Sequence, residues 1–382
     1  MIGSIYLFLN AFNPAFAFHE WVPITLIISF ILFLVVILKK EIILDKFTFF
    51  YFVFVILFLT STLVNFIHNV DMNMNHFYSI ILISFLYFLV PVWCFSKWSL
   101  PSLSRPIIVS FILICIYGMV DFIVINIFHF SITESVIYFP DSYNVGYGYF
   151  GGMFFRNKSI FQEPGFYAWY LNVMAPLCIY LSWDKFKLKT IVFSFYFFSI
   201  VTTFSATGIM GLLIISFFLL VNIKSKILKL VCLVVGITST FFLLGNVLYE
   251  IINNKVLSDS NSKLERFSRW SDGFDLFINN IFFGGGIGSY SRLHEVGLAS
   301  FPLKILAETG VFTFLIFVSL FLFLAFRIYN YFKIERSILI LFASLFANFL
   351  HWSTSTPFYM AFPWLGLALL YVLTQKSRIN FA

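Results

Sequence analysis

Only 11% of this 382-residue chain is charged, so ionisable side chains that occur in company mark where chemistry is to be sought. The first such group is Arg156-Asn-Lys158-Ser-Ile-Phe161-Gln-Glu163-Pro164. Pro164 suits the first position of a helix, which puts Glu163 beside a positive helix end, as a cap or as a general base for a hydroxyl. Arg156 has less structural use there, because arginine in such a setting commonly meets phosphate or carboxylate. The second group is Lys263-Leu-Glu-Arg266-Phe-Ser-Arg269-Trp270. Arg266 and Arg269 share one helical face, where they can grip a diphosphate or snorkel to lipid phosphates. With Lys158 and Arg292, they supply cations for an anionic ligand.

A glycine-rich turn, Gly284-Gly-Gly-Ile-Gly288-Ser, comes next. It lacks the strand-to-helix context and the lysine of nucleotide-binding loops, and is read as a tight turn letting backbone approach a ligand or the bilayer. His294 follows as a second candidate base. Glu308 lies about two turns inside an apolar stretch, where an ionisable group is costly and points to function; the structural alternative is an i,i+4 pair with Lys304. Asp121 is similar. His68 and His351 read as interfacial polar groups. No HExxH, aspartate cluster or DxD-like pair occurs, so a metal-independent reaction with no cofactor is expected.

The elements that position these residues follow from the rest of the composition. With 61% hydrophobic residues, the chain cannot be an ordinary soluble enzyme, which carries about 25% charge, nor a disordered one. Its apolar runs are continuous and too long for β-barrel strands. The four cysteines lie within those runs with no CxxC spacing, and behave as small buried hydrophobes. The expectation is an all-α integral membrane protein forming a single polytopic domain over 1–382. About twelve transmembrane helices are predicted, near 4–18, 21–38, 47–67, 77–95, 106–130, 165–182, 189–204, 207–223, 227–248, 302–326, 336–350 and 357–374.

Assigning the connections alternately to two sides divides the 24 Lys and Arg unequally, sixteen against eight. The positive-inside rule then puts both termini in the cytoplasm. The eight on the outer side are Arg156, Lys158, Lys255, Lys263, Arg266, Arg269, Arg292 and Lys304. All lie in or beside two long outer connections, 131–164 and 249–303, the second carrying an amphipathic interfacial helix near 263–280. Orientation alone would leave these positions neutral, so a negatively charged ligand on the outer face is expected. The net charge of +7 is thus explained by topology and such a ligand, without nucleic acid.

Four segments resemble the O-antigen polymerase (Wzy-type) and O-antigen ligase superfamily of membrane glycosyltransferases. Arg156-x-x-Ser-x-Phe161-x-Glu163-Pro164 resembles its Arg-x-x-Gly/Ser-x-Phe-x-x-Pro motif, and Ser205-Ala-Thr-Gly208-x-x-Gly211 a second, without that segment's arginine. Arg266-x-x-x-Trp270 leading to Gly284–Ser289 is similar to a third, and Leu306-Ala-Glu308-Thr-Gly310 to a fourth. His294 departs from the family's His-Asn pair, being followed by Glu295. The resemblance implies a GT-C-like fold in the bacterial inner membrane. It further implies a repeat-unit polymerase that uses undecaprenyl-diphosphate-linked oligosaccharide on the periplasmic face, with a chain-length regulator and a flippase as partners. Arg156, Arg266 and Arg269 would hold the diphosphate, with Glu163 or His294 as base and with Arg292, Glu308 and Lys158 as further substrate contacts. An O-antigen ligase acting on lipid A-core is the alternative; a lipid-linked oligosaccharide flippase or transporter is the second.

Overall fold

The computed structural model describes residues 2–13, 17–19, 22–133, 149–150, 154–223 and 261–379. The span predicted near 227–248, residues 134–148 and 151–153 of the first long connection, and 249–260 of the second, with Lys255, lie outside the described residues. What is described is helical, apart from two minimal antiparallel ladders, β1 (Ala17–His19) with β2 (Val22–Pro23) and β3 (Tyr149–Phe150) with β4 (Phe154–Phe155).

Five helices are long and apolar enough to cross a membrane by length and composition: α3 (Lys46–Ile67), α4 (Met74–Phe95), α5 (Leu100–Phe128), α11 (Phe301–Phe332) and α12 (Arg336–Thr354). Two shorter apolar helices, α2 (Ile24–Leu38) and α8 (Ala206–Asn222), accompany them. The remaining helices are α1 (Ile2–Asn10), α6 (Pro164–Leu181), α7 (Phe186–Thr202), α9 (Asn261–Asn279), α10 (Ser289–His294) and α13 (Ala361–Ile379). Phe30, Ile56, Phe66, Ile123, Leu322 and Phe326 all face outward, each more than half exposed. Hydrocarbon is the medium such a surface matches. The protein is a multi-pass helical membrane protein.

The pillar of the bundle is α6, buried from Tyr167 to Tyr180 without interruption and packed by α5, α7, α8, α12 and α13. Its neighbour α8 comes close because Gly211 has no side chain: a Cβ there would sit 2.0 Å from the Asn172 amide. Two of the long helices are irregular where their residues require it. In α4 a π-helical turn at Phe85–Leu89 precedes Pro91, whose missing N–H breaks the regular hydrogen-bond ladder. In α11 the backbone leaves helical geometry at Gly310 (φ 83°, ψ 176°), a conformation open to glycine at little cost.

Helix α9 shows its apolar Leu264, Phe267, Phe274 and Ile278 to the outside. Its other side packs on α11, with Trp270, Leu276 and Phe277 covering Leu298, Leu303 and Ala307.

Candidate active site

The segment Arg156–Glu163 is held at every step. On α5, the Asn126 side chain accepts the Phe155 N–H at 2.8 Å and donates to its carbonyl at 3.2 Å. Asn157 binds Thr202 at the end of α7 through its backbone and its side chain, both at 2.9 Å. Ser159 takes a left-handed turn (φ 49°), and its N–H donates to Asn157 Oδ1. Phe161 is then driven into the core among Tyr167, Tyr170 and Phe362. With the chain anchored on both sides, Arg156 Nε donates to the Thr203 carbonyl at 3.0 Å. This contact holds the guanidinium at the turn before Ser205, whose hydroxyl caps α8 through the Gly208 N–H.

Glu163 occupies the N-cap position of α6, but its carboxylate makes no capping hydrogen bond. It lines a cavity of about 480 Å³, together with His76, Phe166, Glu295, Lys304 and Phe358. Surrounding protein pushes its carboxyl above the ordinary value, against the opposing pull of the Arg156 and Arg266 charges. Arg156 is held below its usual value, again chiefly by burial, with Glu163 acting the other way. One carboxylate therefore lies within electrostatic reach of an arginine from each of the two long connections. A carboxyl raised in this way is a better proton acceptor than a free glutamate.

The other sequence-derived candidates have different surroundings. Arg266 is exposed on α9, whereas Arg269 is engaged by Glu265 and by the Gly297 carbonyl. Arg292 pairs with Asp71, and exposed His294 stacks on Tyr290 with ring centres 4.4 Å apart. Lys158 is buried at the base of its loop. Glu308 is fully buried, its Oε1 paired with Lys304 at 2.8 Å and its Oε2 accepting the Gly288 N–H at 2.8 Å. The i,i+4 partner foreseen as the structural alternative is therefore present. Asp121 accepts the backbone N–H groups of Ile132 and Thr133, which anchors the chain leaving α5. His351 is not interfacial: it is buried, stacked on Trp169 and bonded to Asn172.

The glycine-rich turn, expected to let backbone approach a ligand or the bilayer, packs closely on protein backbone. Gly285 and Gly286 donate to the Ala307 and Glu308 carbonyls, and Val311 donates back to Ile281. A Cβ on Gly284 would lie 2.3 Å from α11 backbone, and one on Gly310 2.1 Å from the Phe282 carbonyl. On its other side the Ile287 carbonyl accepts the Asn73 N–H at 2.8 Å. The turn thus clamps the segment before α4 to the broken start of α11.

That clamp exposes what the sequence did not reveal. His76 and Lys304, 228 positions apart, meet at 3.3 Å on the wall of the Glu163 cavity. Lys304 was legible as a partner for Glu308 and as one of the eight outer cations, and no local pattern marks His76.

No curated protein matches the chain in a sequence comparison. Among protein families, residues 191–318 match Wzy_C, described as O-antigen ligase. The matched stretch holds Arg266, the glycine turn and Glu308, while Arg156 and Glu163 lie just before it. Residues 191–318 are thus similar to the O-antigen ligase family, in line with the motif resemblance.

Proposed function

We propose that the chain is a metal-independent glycosyltransferase of the inner membrane, a surface-polysaccharide repeat-unit polymerase working on the periplasmic face with both termini in the cytoplasm. The observation that carries this is the Glu163 carboxylate on a cavity wall, flanked by the charges of Arg156 and Arg266. Glu163 takes the proton of an acceptor sugar hydroxyl as that oxygen attacks the anomeric carbon of the growing glycan. The bond from that carbon to undecaprenyl diphosphate breaks, and the diphosphate leaves with the electron pair. Arg156 and Arg266 meet the charge that develops on it, as preorganised cations do in transition states of this kind.

His294 lies outside the cavity lining, which supports Glu163 as the base. The family description favours a second reading, a ligase that moves finished glycan to lipid A-core. A gel of surface polysaccharide from a strain lacking the chain separates the two. A single repeat on core supports polymerase; long lipid-linked glycan left unattached supports ligase. Unchanged polysaccharide overturns both.

A further inference from the structure

The proposed reaction uses Glu163; the same cavity lining carries a set of polar groups that it leaves unused. Lys304 is buried, with 3% of its side chain accessible, yet it lines the cavity beside half-buried His76. An ammonium has only donors. It gives one N–H to Glu308 Oε1 and another to His76 Nδ1. Nδ1 must therefore carry the lone pair, and the neutral ring's proton is placed on Nε2. Phe358 meets the His76 ring edge-on, with centres 5.3 Å apart, which limits how the imidazole can turn.

The charge balance decides what this lining can hold. Glu308 neutralises Lys304, while Glu163 and Glu295 border the same space. An anionic group would face repulsion there, whereas a hydroxyl or amide carbonyl oxygen accepting one hydrogen bond would not. Phe166, Phe358 and Tyr359 add aromatic surface of the sort sugar rings pack against.

We propose that His76 is a binding residue for the neutral acceptor sugar, donating its Nε2–H to a hydroxyl or acetamido oxygen in the cavity it shares with Glu163. Lys304 and Glu308 are positioning residues that act through His76 by holding its tautomer. The glycine turn sets the geometry: Ile287 binds Asn73, three residues before His76, and Gly288 binds Glu308. This assignment rests on the glycosyl-transfer reading of the cavity.

The test uses purified full-length protein in nanodiscs, with lipid-linked repeat unit extracted from a strain lacking the chain as substrate. His76→Leu should raise KM for this unit at least tenfold with kcat changed less than threefold. His76→Gln, whose amide nitrogen can stand where Nε2 stood, should recover most of that loss. The charge-neutral double variant Lys304→Met/Glu308→Gln should raise KM in the same sense, and adding His76→Leu to it should cost little more. Thermal unfolding of each variant checks that the chain folds.

His76→Leu with wild-type KM overturns the assignment. So does a loss in which kcat alone falls, or one that His76→Gln does not recover. Glu163→Gln run alongside keeps the two ideas apart. An inactive Glu163→Gln beside a wild-type His76→Leu removes only the acceptor assignment. A fully active Glu163→Gln removes the reaction scheme, and with it the acceptor role of His76.

Discussion

The backbone N–H of Gly288 donates to Glu308 Oε2 at 2.8 Å, and Lys304 holds the other carboxylate oxygen at the same distance. A turn that glycine makes possible and a charge that would otherwise be costly are thus stabilised by each other. Burying a carboxylate is tolerable only when its oxygens are paired and hydrogen-bonded. Glu308→Ala leaves Lys304 buried without its carboxylate, and should cost about 3–5 kcal/mol. Lys304→Met/Glu308→Gln should recover more than half of that loss, as read by thermal unfolding in detergent.

The break in α11 gives a second test. Gly310→Ala puts a Cβ 2.1 Å from the Phe282 carbonyl at φ 83°. Left-handed strain alone costs roughly 1–3 kcal/mol, and the backbone collision adds to it. The variant should melt well below the parent and lose polymerisation. Unchanged melting would mean that the turn does not pack on α11 in the membrane.

The pH profile bears on Glu163. Burial raises its carboxyl above 4.5, while Arg156 and Arg266 pull it down. In the proposed scheme the basic form of Glu163 is the working one, so kcat/KM should rise with pH through an acid limb above the ordinary carboxylate range. Arg266→Gln removes one lowering charge, and the Glu163 carboxyl, titrated spectroscopically in that variant and not through its activity, should move to higher pH. Movement to lower pH would contradict the arrangement of charges.

Arginine variants should separate by location. Arg156→Ala and Arg266→Ala should each abolish long-chain glycan on gels while membrane insertion persists. Arg156→Lys should restore little, because Nε bonds the Thr203 carbonyl and lysine has no second nitrogen to face the substrate. Arg269 is already bound to Glu265 and Gly297, and exposed Arg292 to Asp71. Their alanine variants should keep long glycan, with stability within about 1 kcal/mol of the parent.

Sequence alone determined what local chemistry and the solvent dictate. A chain this apolar has to be helical in lipid, because only helices satisfy their own backbone within the segment. Pro164 announces a helix start and Glu163 its cap position, and Lys304 with Glu308 makes a legible i,i+4 pair. The motif residues Arg156, Glu163 and Arg266 were legible too, as candidates without a meeting place. Tertiary structure alone brought the Arg156 and Arg266 charges within electrostatic reach of Glu163. It also decided that the glycine turn grips α11, and that His76 lines the Glu163 cavity. Each depends on contact between segments far apart in the chain. Such contact is set by whether backbones can approach, here through Gly284, Gly288 and Gly310, and no periodicity along one segment encodes the partner it will meet.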